Sequence, residues 1–275
     1  MPYLIDDTRF LDRTTHGLGI GAKRGRMHFR ARGAMTLCGM AHVEAMLRAS
    51  DVTYALYAHD GDTLAPDAPI ALIEGSAQAL HALWKSAQNM LEYQSGIATY
   101  TRAMVDTARA HTPHHCAIAT TRKHYPAAKE LMLEAVVCGG GLPHRLGLFD
   151  SVLVFEQHWA FLPTLEAQKE AFLRLKTTHL EHKIAIEAAS YDEALRYAQW
   201  GADILQCEKS SPEMLRTCVA LKAQFPHLLL SATGGVTLQN IATIAQTGVD
   251  FVVTSAPYHA NPVDIAVTME ALGML

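Results

Sequence analysis

The second half of the chain is rhythmic. Short apolar runs recur at HCAIAT (115–120), DSVLVF (150–155), KIAIEA (183–188), ADILQC (202–207), HLLLSA (227–232) and DFVVTS (250–255). They are apolar nearly throughout, as strands covered on both faces are, and do not alternate. Helix-like stretches separate most of them: SYDEALRYAQWGA, SPEMLRTCVALKAQF and TLQNIATIAQTGV. Ser190 with Glu193, and Ser211 with Glu213, supply N-caps and acidic first turns, while Gly201 and Gly248 stand where helices end. About six β-α units in series predict a parallel α/β domain over roughly 112–262. Glu187, Glu208, Thr233 and Thr254 fall at or just past the C-terminal ends of successive strands. In a β/α barrel those ends converge on one mouth, so a closed or nearly closed barrel is expected over an open sheet.

The first half has another pattern. RMHFRAR (26–32), VTYALYA (52–58) and PIALIEG (69–75) read as strands, and AHVEAMLRA (41–49) as a short amphipathic helix. SAQALHALWKSAQNMLEYQ (76–94) repeats apolar residues at helical spacing, SGIAT interrupts it, and TRAMVDTARAHT resumes it. The reading is a separate α+β domain over 1–111, joined through the polar HTPHH (111–115) to a barrel domain over 112–275. The last segment is read as a helix able to pack back on the N-terminal domain.

Composition narrows the class. Of 275 residues 49% are hydrophobic and 18% charged, which supports a sizeable core and excludes disorder. A net charge of −4 offers no global field for nucleic acid or anionic membranes. No apolar run approaches the ~18 residues of a membrane span. The start MPYLIDDTRFLDRT lacks a signal-peptide pattern, and five dispersed cysteines read as reduced thiols. A cytoplasmic protein is expected.

Four segments can carry chemistry. In TTRKHYP (120–126), Arg122 offers a planar fork and Lys123 a point charge for an anion, against the plainer reading of a basic loop. CGGGLPHRLGLFD (138–150) puts His144 and Arg145 after three glycines that permit close approach of a ligand. Glu187 and Glu208, on consecutive strands, suit a magnesium–phosphate site or sugar hydroxyls, although either alone could be an ion-pair partner. SATGGV (231–236) and VVTSA (252–256) offer small residues and backbone N–H groups for a phosphate at the last two strand ends. The fifteen histidines show no zinc spacing, and no Ser-His-Asp order or nucleophile elbow is present.

SGIATYTR, TTRKHYP, GGGLPHRLGL, AIEA, SATGGVTLQNI and GVDFVV follow the order and spacing of the nicotinate-nucleotide pyrophosphorylases, also called quinolinate phosphoribosyltransferases. The resemblance covers nearly the whole chain. EYQSGIAT and VLVFEQH resemble the ModD branch, pyrophosphorylases associated with molybdate transport. It implies an N-terminal α/β sandwich domain, a C-terminal partly open β/α barrel, and a homodimer or higher even oligomer. The implied reaction joins an aromatic acid to phosphoribosyl pyrophosphate with Mg2+, releasing pyrophosphate, as in NAD biosynthesis. Lys123, Glu187 and Glu208 would be catalytic, the two glutamates also holding magnesium. Tyr93, Arg122, His144, Arg145 and Phe155 would meet the acid. Thr233, Gly234, Gly235 and Ser255 would hold the 5′-phosphate.

The chain departs from the family pattern at three places. Tyr93 stands for an arginine, Phe155 for a lysine, and Glu208-Lys209 for an aspartate-asparagine pair. Two cations around a dicarboxylate are thus absent, and an unpaired buried carboxylate is costly. The expected acceptor is therefore an aromatic acid with one acidic group rather than quinolinate. The competing reading is a non-catalytic phosphate- or oxyanion-binding homologue linked to molybdate transport. A sugar-phosphate lyase would leave the Arg122-Lys123 and His144-Arg145 pairs unexplained.

Overall fold

Strand β1 (Arg24–Ala31) alternates in burial, sending Met27, Phe29 and Ala31 to one face. A computed structural model describes residues 11–112 and 114–273; most of the acidic N-terminal segment lies outside them. The chain forms two compact units that interleave in sequence. One comprises the chain up to Tyr100, Glu130–Gly139 and the chain from His259 on; the other comprises Thr101–Lys129 and Gly140–Tyr258.

The first unit continues with β2 (Met35–Thr36), β3 (Val52–Leu56), β4 (Thr63–Leu64) and β5 (Pro69–Ser76). The second contains β6 (Ala117–Thr120), β7 (Leu142–Pro143), β8 (Val152–Val154), β9 (Ile184–Ala188), β10 (Ile204–Glu208), β11 (Leu229–Thr233) and β12 (Phe251–Thr254). β13 (Ile265–Ala271) belongs to the first unit again.

In the first unit the sheet runs β13-β1-β5-β3, with every pairing antiparallel. Its buried face meets helix Met40–Arg48 and the early turns of helix Ala77–His111 in a core that includes Met27, Phe29, Met46, Leu47, Ile73, Leu80 and Leu83. Two expectations change here. The last segment is a strand, not a helix: Ile265–Ala271 pairs with β1 from Ala31↔Ile265 to Gly25↔Ala271. Nor does SGIAT break the preceding helix, which runs unbroken for 35 residues. Its small residues serve close contact instead. A Cβ on Gly96 would lie 2.4 Å from the Asn261 carbonyl, and buried Ser95 accepts a 2.9 Å bond from Cys38 N–H.

The second unit is a curled, seven-stranded parallel sheet in the order β7-β6-β12-β11-β10-β9-β8. Around this ring only β7 and β8 lack a mutual pairing, so the barrel is open at one seam. Helix Tyr191–Gln199 is capped by Ser190 and helix Pro212–Val219 by Ser211, as the sequence signals require. These helices pack on β9, β10 and β11. Leu205, Leu230 and Val252 face that layer and are fully buried. The register places the opposite, inner face at every second position: Glu187↔Gln206↔Ser231 in one row and Glu208↔Thr233↔Val253 in the next.

Candidate active site

The second unit gathers polar side chains where its strands end. Along the sheet, Arg122 and Lys123 follow β6, His144 and Arg145 follow β7, Ser255 follows β12, and Gly234-Gly235 follow β11. Glu208 closes β10 and Glu187 is penultimate in β9, on the same inner face. Phe155 continues β8 in extended conformation (φ −115°, ψ 165°) and so shares the parity of Leu153 on that face. The order of strands thus sets cations at one end of the row, glycines in the middle and carboxylates at the other.

At the cationic end, His144 donates its backbone N–H to Thr120 O at 3.0 Å and lies tilted over Phe251 with centroids 5.9 Å apart. Burial holds its imidazole below the ordinary value, and the charge of Arg145 lowers it further. The imidazole is therefore neutral at pH 7, a donor or acceptor rather than a cation. Burial also lowers the Arg145 guanidinium, and Arg122 stands close enough to add to the effect. Arg145 Nε is buried without a hydrogen-bond partner. An orphaned guanidinium donor in the field of a second cation favours an anion. Arg122 and Lys123 are exposed.

The glycine turn is built by its neighbours. Gly234 and Gly235 take φ values of +81° and +74°. A Cβ on Gly234 would come within 2.7 Å of Lys209 Cγ and 3.1 Å of Lys209 N, so this glycine makes room for the chain itself. Gly235 faces open space on its Cβ side and is the glycine a ligand can approach. Asn240 fixes the turn, donating to Gly235 O at 2.9 Å and accepting from Thr237 N–H at 2.8 Å. The Thr233 hydroxyl donates to Val253 O at 3.0 Å, and Thr254 to Val236 O at 2.6 Å. The run at 139–141 is likewise used internally: Gly140 has φ +87°, and its Cβ would sit 3.1 Å from the Arg102 guanidinium.

At the acidic end, Gln206 donates to Glu187 Oε2 at 3.0 Å. Burial raises the Glu187 carboxyl above the ordinary range; the Gln206 bond opposes this, and the neighbouring Glu208 charge reinforces it. Glu208 pairs with Lys209 Nζ at 3.3 Å, and Lys209 itself stands in left-handed backbone (φ +46°). Such a conformation in a residue with a long side chain is rare and gathers at functional sites. Two carboxylates on adjacent strands fit magnesium, which takes one or two carboxylates and completes its shell with substrate phosphates. Among the described residues no group of three or more His, Cys, Asp and Glu gathers around one point.

Family models match both parts of the chain: the quinolinate phosphoribosyl transferase N-terminal domain over residues 12–95 and its C-terminal domain over 97–268. The chain belongs to the quinolinate phosphoribosyl transferase family. The ModD protein of Pasteurella multocida is 34% identical over 98% of this chain and 95% of its own length. That of Rhodobacter capsulatus is 36% identical over 90% and 98%. A solved nicotinate-nucleotide pyrophosphorylase from Francisella tularensis superposes with a TM-score of 0.87, covering 98% of this chain and 94% of that one at 24% identity, which extends the likeness of fold. Members of the family are pentosyltransferases, and the half-open barrel is the architecture this fold implies.

Within this frame, Arg122, His144, Arg145, Glu187, Glu208, Thr233, Gly234, Gly235, Ser255 and Phe155 all stand at the strand ends of one unit. Tyr93 lies in the first unit, on the long helix, with 62% of its surface exposed. Sequence reasoning missed Gln206, whose signal was a polar residue inside the apolar run ADILQC at the parity of Glu208. It also missed Tyr258, whose hydroxyl stands 2.9 Å from Thr120 Oγ1 and 3.0 Å from Thr121 O, bracing the turn that carries Arg122. No local pattern announces that tyrosine.

Proposed function

We propose that the protein transfers a phosphoribosyl group from phosphoribosyl pyrophosphate to the ring nitrogen of an aromatic acid bearing one acidic group, releasing pyrophosphate. The observation that carries this reading is the order of the strand ends, with Arg122 and Arg145 at one end of the row and Glu187 and Glu208 at the other. An acid acceptor belongs at the cationic end and the ribose at the acidic end. The turn at Gly235, open on its Cβ side, lies between them and is offered to the 5′-phosphate.

In the transfer, the bond from ribose C1′ to the pyrophosphate oxygen breaks and its electron pair leaves with pyrophosphate. The acceptor nitrogen gives its lone pair to C1′. Positive charge builds on the ribose as the bond lengthens, so catalysis is chiefly positional and electrostatic. Glu187 and Glu208 orient the ribose hydroxyls and face the growing positive charge. Lys123 counters the charge of the departing pyrophosphate, and Arg145 with Arg122 fixes the acceptor carboxylate. Glu187 and Glu208 would hold magnesium together with the substrate's phosphates, and the ion would supply further countercharge. Homodimerisation is part of the reading, with exposed Tyr93 offered to the partner's acceptor site.

Pyrophosphate release from phosphoribosyl pyrophosphate and magnesium, measured across pyridine and azole acids, tests the reading. Release that requires an acid and falls sharply in Arg145→Ala is the expected result. Tight phosphoribosyl pyrophosphate binding without release for any acid would replace the transferase with a non-catalytic binding protein.

A further inference from the structure

The seam between β7 and β8 is where the ring of strands fails to close, and a cavity of about 470 Å3 lies there in the second unit. Its apolar walls include Leu148, Leu153, Trp159, Phe172 and Leu175. The ionisable residues on its surface are Arg145, Arg174, His158 and His179, all basic. A volume of this size is typical of sites for ligands well beyond one ring, about 300–1,000 Å3.

Three observations tie this cavity to the acceptor position. Arg145, the guanidinium beside Arg122, lines it and keeps a buried Nε without a partner. Trp159 lines it too, its ring tilted against Tyr197 with centroids 6.4 Å apart. Phe155, on the inner face, stacks on His158 with centroids 5.8 Å apart and planes 12° from parallel, and His158 Nδ1 accepts the Phe155 N–H at 2.9 Å. His158 is itself part of the cavity wall. An aromatic pair therefore links the carboxylate row to an apolar, acid-attracting space, at a position where the resemblance leads one to expect a lysine.

We propose that the seam cavity is a subsite for the far end of the acceptor, so that the substrate is an extended aromatic monoacid such as a fused two-ring heteroaromatic carboxylate. Its carboxylate lies on Arg145, and its second ring lies between Leu153, Trp159 and Phe172. The proposal rests on the phosphoribosyltransferase reading for the reacting nitrogen, but its binding consequence does not.

Nicotinate and quinoline-3-carboxylate differ only by the fused ring and make the matched probes. With the full chain, magnesium and phosphoribosyl pyrophosphate, calorimetry is expected to show the two-ring acid binding at least about tenfold tighter, the scale a well-filled apolar pocket confers. Ala171→Phe, which fills the cavity from helix Leu165–Thr178, should abolish that advantage and leave nicotinate within about twofold. Trp159→Ala removes one aromatic wall of the cavity and should cut the advantage in part. Equal affinity for the two acids, or an advantage untouched by both variants, would overturn the subsite. If nicotinate is turned over without any two-ring preference, the subsite fails and the transferase reading stands. Cavity-dependent binding of the two-ring acid without pyrophosphate release from either acid upholds the subsite and overturns the transferase reading.

Discussion

The two units solve burial in different ways. In the first, antiparallel strands such as β1 hide one face and show the other, and the core they cover is rich in flexible side chains, among them Met27, Met35, Met40 and Met46. In the second, parallel strands such as β9 and β11 are buried on both faces, and their inner-face polar side chains gather toward the C-terminal ends. An alternating strand therefore marks a face, whereas a continuous apolar strand marks an end. The first kind of pattern reports where the core is. The second also reports where chemistry can stand.

That contrast can be broken from either side. Phe29→Ala, in the core of the first unit, is expected to cost about 3–5 kcal/mol; denaturant unfolding measures it, and a loss under about 1 kcal/mol would mean the core re-forms around the gap. Lys123→Ala, exposed after β6, should do the opposite, leaving the unfolding midpoint alone and lowering turnover about 10²-fold or more. A fall of less than threefold would make Lys123 an ordinary surface charge. The two glycines of the β11 turn sharpen the distinction within one loop. Gly235→Ala should weaken phosphoribosyl pyrophosphate binding about tenfold, at a backbone cost of about 1–2 kcal/mol for its left-handed conformation. Gly234→Ala should lose more stability, since its Cβ meets Lys209. Calorimetry and unfolding on the pair separate ligand approach from internal packing, and identical behaviour would refute the assignment.

The smallest expected effect concerns pH. In the proposed transfer Glu187 would act as a carboxylate, and burial lifts its ionisation above the ordinary range, so kcat/KM should rise with pH through that raised value. Gln206→Leu removes a hydrogen bond that favours the ionised form and should move the acid limb to higher pH. Glu208→Gln removes a neighbouring negative charge and should move it lower, whatever it does to the maximum rate. Limbs that stay in place in both variants would show that Glu187 does not set the profile.

Most of the second unit was legible because its signals are local. Ser190, Ser211, Gly201 and Gly248 mark helix ends through their own side chains or backbone freedom, and Glu187, Glu208 and Thr233 follow apolar runs whose length alone identifies strands. What failed depended on distant partners. Gly96 reads as a helix breaker until the Asn261 backbone is seen against it. IAVTMEA reads as a helix until β1 offers it a seven-residue ladder. Gln206 looked like an impurity in a strand, because the carboxylate it serves sits on the neighbouring strand, 19 residues earlier. Phe155 was visible as a departure from the family pattern, but its stacking on His158 required the local fold.

The ladder between β1 and β13 also has a history in the making of the chain. β1 lies between β5 and β13, so during synthesis it can pair on one side early but has an open edge until Ile265–Ala271 have left the ribosome. Contacts that close so long a loop form slowly, and an unpaired edge invites association with other chains meanwhile. The whole second unit, with its local β-α repeats, is made in that interval. When β13 emerges, the barrel should thus already be able to fold while the first sheet is one strand short.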